Sequence, residues 1–102
     1  MATDDIEITR TGDAASGAYR AEVPGSDRQA ELTWTARGEA RIADHTFVPD
    51  EARGKGIAEK LVLALVEDAK SEGFTIVPQC SYVEAQFRRH PEWSQLRAER
   101  PS

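Results

Sequence analysis

One cysteine, Cys80, and two histidines, His45 and His90, are the only thiol and imidazoles in the chain. A lone cysteine cannot close an intramolecular disulfide, and three such residues are too few for a structural zinc site, so no metal is expected. Basic residues are also short, 13 against 18 acidic ones, for a formal charge of −5. Nucleic acid is therefore excluded as the main partner, because binding a phosphate backbone requires a basic face. No apolar run approaches the roughly 20 residues that cross a bilayer, and the opening MATDDIEITR is acidic where a signal peptide would be basic and then apolar. A soluble cytoplasmic protein with no membrane partner is expected. Repeats and low-complexity segments are missing too. At 102 residues and 39% hydrophobic content the chain supports one modest core. The expectation is a single domain over 1–102, with its core at about 5–97.

What is present is a change of hydrophobic period near the middle of the chain. In the first half, DIEIT, AYRAEV and QAELTW each alternate, placing Ile6 and Ile8, then Tyr19, Ala21 and Val23, then Ala30, Leu32 and Trp34 on one face. These segments predict strands, separated by the turn-forming TGDAASG and PGSDR. ARGE at 36–39 predicts a hairpin into a fourth strand at 40–48. From Ile57 the apolar residues recur at 57, 58, 61, 62, 65, 66 and 69, a broad helical stripe that Gly73 terminates. FTIVP then predicts a short strand. A last helix starts at Ser81, with Glu84 completing a capping box, and stops before Pro91. Residues 40–77 thus form a strand–loop–helix–strand unit whose strands should be parallel neighbours joined by a right-handed crossover. Trp34, Leu32, Phe74 and Phe87 are expected in the core, with Trp93 covering the last helix.

The stretch RGKGIA, Arg53 to Ala58, places two glycines flanked by cations at the start of that amphipathic helix. A helix N-terminus has unpaired N–H groups and a partial positive charge. Gly54 and Gly56 allow close backbone approach, while Arg53 and Lys55 add charge, so a phosphate or pyrophosphate is the natural guest. The P-loop pattern fails because the lysine lies between the glycines with no Ser or Thr after it. The dinucleotide fingerprint fails because Glu59 occupies the place of its third glycine.

What remains is Arg-x-x-Gly-x-Ala, met by Arg53, Gly56 and Ala58 and preceded by Val48 and Pro49 at a strand end. It resembles the pyrophosphate motif of the GNAT superfamily, the N-acetyltransferases that use acetyl-coenzyme A. A short, single-domain subgroup is resembled more specifically through His45 and Thr46 ahead of the loop, Cys80 to Val83 after the next strand, and Arg88 to Trp93 at the end of the last helix. The likeness covers roughly residues 18–97. It implies an α/β fold with a mixed, mainly antiparallel sheet, a parallel β-α-β unit and two main helices.

The resemblance implies that acetyl-coenzyme A is the co-substrate, its pyrophosphate held by the amides of Gly54, Lys55, Gly56, Ile57 and Ala58 beside Arg53. Its arm would lie between the strands ending at Val48 and Val77, with backbone N–H groups near Phe47 and Val48 facing the carbonyl oxygen. His45 is the best candidate for the base, since an imidazole titrates near neutrality; the bland alternative is a histidine that only packs. On a regular strand Asp44 would face away from it. Cys80 just ahead of a helix is either a small thiol beside the arm or a nucleophile giving a two-step reaction, with direct transfer favoured. Tyr82 resembles in role the tyrosine that protonates the departing thiolate. Arg88 and Arg89 form a solvated face or meet the coenzyme's phosphates. Between the first two strands only about eight residues are available, too few for the pair of helices that usually walls the acceptor pocket. An open site suits a large amine acceptor such as a protein lysine or a peptide. The rival is an acyl-coenzyme A-binding or sensing module without turnover.

Overall fold

In the computed structural model residues 7–52, 54 and 56–98 are described, without the side chain of Glu51. The alternating segments form four antiparallel strands, β1 (Ile8–Gly12), β2 (Ser16–Ala21), β3 (Ala30–Arg37) and β4 (Ala40–Phe47). The helical stripe becomes α1 (Ile57–Glu72), and β5 (Thr75–Val77) then pairs with β4 in parallel. A second helix, α2 (Ser81–Arg89), and a 3₁₀ segment (Pro91–Leu96) follow. The sheet order is β1-β2-β3-β4-β5. This is the mixed, mainly antiparallel α/β architecture with one parallel unit that the sequence predicts.

The alternating residues explain the packing. Tyr19, Ala21, Leu32 and Trp34 leave the sheet on one face and meet Leu61, Val62, Leu65 and Ala69 of α1 in one buried cluster. Each buried leucine contributes about 1.5–3 kcal/mol relative to leaving it exposed. Gly73 ends α1 in the left-handed conformation, its N–H donating to Ala69 O at 2.9 Å, as the residue type favours. Trp93 is buried edge-on against Phe87. Phe74 is only half-buried, because Arg41 inserts its guanidinium between the Phe74 and Trp34 rings, 4.0 Å from each centroid.

Four local expectations change. Ile6 lies outside the described residues, and the first strand runs on to Gly12, so the turn before β2 is only Asp13 to Ala15. The Asp13 carboxylate takes the N–H groups of Ala15 and Ser16, which closes that turn locally. The β3–β4 hairpin likewise tightens to Gly38 and Glu39. Ser81 does not cap α2: Cys80 is the N-cap residue, without a side-chain capping bond, and the Glu84 carboxylate is drawn to Arg97 and Arg88 instead. Finally, β4 is not regular. Thr33 pairs with His45 but Trp34 pairs with Ala43, so Asp44 is the extra residue of a bulge. The bulge brings Asp44 to the same face as His45, where its carboxylate accepts from Thr33 and Thr35 on the face away from α1.

At the far end of α1, Asp68 accepts from Tyr19 Oη at 2.7 Å and from Arg10 at 2.8 Å. Burial alone would raise the Asp68 pKa, but these two donors outweigh it and hold the carboxyl below its ordinary value. A depressed folded-state pKa means that the contribution is present above the unfolded value of about 4 and is lost as pH falls through the folded one. Asp68→Asn should therefore cost about 1–3 kcal/mol at pH 7, and the gap to wild type should close below pH about 4. Urea unfolding of both proteins at neutral and acid pH measures this.

Candidate active site

The β4–β5 pairing is short and leaves a slot. β5 covers β4 only from Ala40 to Ile42, and the Cys80 N–H then closes on Ala43 O at 2.9 Å. From Asp44 to Phe47, β4 continues with no strand partner on that edge among the described residues. The chain then makes a 3₁₀ turn at Asp50–Ala52 and enters α1 through Gly54 and Gly56. A cleft of 460 Å³ opens between this β4 edge, the start of α1 and one face of α2.

At the α1 end of the cleft the backbone is arranged for an anion. Gly54 and Gly56 both adopt positive φ, at 80° and 76°, a region that a β-carbon disfavours. A β-carbon built on either would meet nothing within 4 Å among the described residues, so the space above them is open. The first helical bond is Lys60 N–H to Gly56 O. The N–H groups of Ile57, Ala58 and Glu59 precede it at the helix start, where such groups have no partner within the helix, and among the described residues no side chain caps them. The Glu59 carboxylate borders the same space but lies 3.8 Å from His90 Nε2, whose ring stacks on Trp93.

The other end holds the thiol. Cys80 Sγ donates to Thr46 Oγ1 at 3.4 Å, and Thr46 lines the cleft. Burial opposes ionisation of this thiol, but the Thr46 hydroxyl and the N–H groups of Val83, Tyr82 and Thr46 outweigh it, and the pKa falls below the ordinary value. Alkylation by iodoacetamide should accordingly reach half its maximal rate below the pH of a free cysteine, about 8.5. A midpoint at or above that of glutathione would contradict this geometry. Tyr82 is half-buried on the cleft wall. Burial, and secondarily the Glu59 charge, raises its pKa, so its phenol stays protonated.

Of the residues singled out in the sequence, Val48, Gly54, Gly56, Ala58 and Tyr82 line the cleft, and Cys80 adjoins it through Thr46. Ile57 lies outside the lining, its side chain being buried in the core. Phe47 lies outside the lining, under the Arg28 guanidinium at 4.5 Å. His45 is exposed beside Asp44 and paired with Thr33, on the face away from α1. Arg53 and Lys55 lie outside the described residues. Arg88 is bound to Glu84, whereas Arg89 lines the cleft. Sequence reasoning missed Thr46, Ala52, Glu59 and Gln86 as lining residues. The spacing 82, 86, 89 is one face of a helix and would have found Gln86.

Among the described residues no group of three or more His, Cys, Asp or Glu is arranged to hold a metal, and no helix is long and apolar enough to cross a membrane. The solution structure of a GCN5-like protein from Staphylococcus aureus superposes with a TM-score of 0.69 at 22% identity, over 99% of this chain and 94% of that one. The likeness is one of fold. The sequence itself matches the family profile described as GCN5-related N-acetyl-transferase across residues 18–96, which takes in most of β2, all of β3 to β5, both helices and the entire cleft. The chain belongs to the GCN5-related N-acetyltransferase family.

Proposed function

We propose that this chain is an acetyl-coenzyme A-dependent N-acetyltransferase that carries the acetyl group directly to an amine on a protein or peptide. The observation that carries the reading is the single cleft joining the uncapped amides of α1 to the Thr46–Cys80–Tyr82 end. The residues fit the coenzyme: glycines clear the space over the amides, and the unpaired β4 edge offers backbone groups to a peptide-like arm. Gly54 to Ala58 would hold the diphosphate, with Arg53 and Lys55 adding charge and Val48 placed along the arm. When bound, the coenzyme supplies the acetyl group as a thioester.

The chain's own groups do the rest. The N–H groups at Phe47 and Val48 are the proposed contacts for the carbonyl oxygen, with Val48 the one that lines the cleft. Tyr82, protonated at neutral pH, supplies the proton that the departing sulfur needs. His45, outside the cleft on the opposite face of β4, is assigned to take the proton lost by an amine that approaches from that face. In balance, a nitrogen–carbon bond forms, a carbon–sulfur bond breaks, and one proton passes from amine to sulfur by way of the protein and solvent. Cys80 is read as a thiol beside the arm and not as an acetyl carrier.

The open acceptor side supports a large substrate. A three-residue turn joins β1 to β2 with no helix between them. The face bearing His45 also carries Thr33, Thr35 and Asp44, all at least partly exposed. Release of free thiol from acetyl-coenzyme A is to be followed against a panel of small amines, lysine peptides and folded proteins. Turnover with peptides or proteins is expected. Efficient acetylation of small amines alone would contradict the open-site reading, and binding without any turnover would leave a carrier or sensor.

A further inference from the structure

Gln86 is the one polar residue among the buried side chains described, with 4% of its surface exposed. It lies on α2 between the apolar Val83 and Phe87, which are also buried. Its Nε2 donates to Tyr82 Oη at 3.1 Å. Its Oε1 has no hydrogen-bond partner among the described residues. A buried acceptor left unpaired is costly, and a leucine or methionine would fill the same volume without that cost. Gln86 lines the cleft, so the missing donor is to be sought there.

We propose that Gln86 Oε1 accepts a hydrogen bond from an amide N–H of the coenzyme's pantetheine arm, making α2 a reader of the arm. The inference rests on the coenzyme reading above and deepens it. Chemistry selects the arm. Ionised diphosphate and the thioester carbonyl present only acceptors, which an amide oxygen repels. The two secondary amides between them present N–H groups. Position agrees with this. Cys80 is the N-cap residue of α2 and adjoins the sulfur end of the cleft through Thr46, while Arg89 lines it near the end of the same helix. At a rise of about 1.5 Å per residue, Gln86 lies about 9 Å along the axis from Cys80 and about 4.5 Å before Arg89. In order along α2 it falls between the ends assigned to thioester and diphosphate; Oε1 is itself buried, so the amide has to turn toward the cleft to accept from the arm. Tyr82, gripped by the other end of the same amide, is held in place by the contact, so one side chain both reads the arm and positions the phenol.

The test compares two probes by calorimetry on the full chain: coenzyme A, and adenosine 3′-phosphate 5′-diphosphate, which keeps the phosphates and lacks the arm. Gln86→Leu should weaken coenzyme A by about tenfold, the loss expected when a buried N–H is left unpaired, and should leave the nucleotide's affinity unchanged. Equal affinities for coenzyme A in wild type and variant would overturn the inference. So would parallel losses for both probes, or a loss that appears only in the KM of the amine acceptor. Should the leucine variant fail to fold by circular dichroism, Gln86→Met carries the same comparison. A wild-type protein that binds neither probe would instead remove the coenzyme reading on which the inference stands.

Discussion

Replacing Gly56 with aspartate should weaken coenzyme A binding at least about 100-fold while leaving the protein folded. Gly56 is the N-cap residue of α1, with φ 76° and ψ 12°, and a β-carbon there projects into open space at the mouth of the cleft. Aspartate tolerates the left-handed region better than most residues, so the backbone cost is about 1 kcal/mol. The carboxylate, however, would stand among the amides assigned to the diphosphate. At a separation near 4 Å, like charges close to a protein surface repel by about 4 kcal/mol per pair. Together with the lost space, this predicts an affinity at least about 100-fold lower. Calorimetry with coenzyme A measures it, and circular dichroism shows whether the fold is kept. An affinity within about threefold of wild type would mean that the diphosphate binds elsewhere.

The second large effect is kinetic and separates His45 from Cys80. His45→Ala should lower kcat/KM for acetyl transfer by about 100-fold or more near neutral pH, the usual contribution of a positioned base, without changing coenzyme affinity. The side chain is exposed and makes no hydrogen bond or ion pair among the described residues, so stability should move by less than about 0.5 kcal/mol. Cys80→Ser should keep most of the activity, because direct transfer needs no thiol on the enzyme. If Cys80→Ser abolishes transfer and mass spectrometry finds an acetylated Cys80 in wild type, the two-step route is correct. Unchanged transfer in both variants would remove both residues from the chemistry.

The order of elements was legible because each segment has a clean period. Leu32 and Trp34 alternate into the core, and Leu61 and Leu65 recur on one stripe of α1. The parallel pairing of β4 with β5 followed from a helix of that length between two strands. The bulge at Asp44 was not legible. Alternation along a single strand does not show that the partner strand is one residue shorter across Thr33 and Trp34, and this one residue reverses the side on which Asp44 stands. The capping box failed for a related reason. Ser81 and Glu84 have the right spacing, but Arg97 arrives from the end of the chain and takes the carboxylate, a tertiary contact that no local pattern contains. At the site, the glycine loop announced itself through composition, whereas Gln86 is a single polar letter in a helix. Its importance appears only when burial shows its oxygen to be without a donor among the described residues.

The central claim is that the peptide N–H groups from Gly54 to Ala58 converge on a diphosphate. A crystal structure of the protein with coenzyme A tests it most directly. The account requires the diphosphate oxygens within hydrogen-bonding distance of those amides, with the arm running along the free edge of β4 toward Thr46 and Cys80. A coenzyme bound with its diphosphate away from the start of α1 would contradict it.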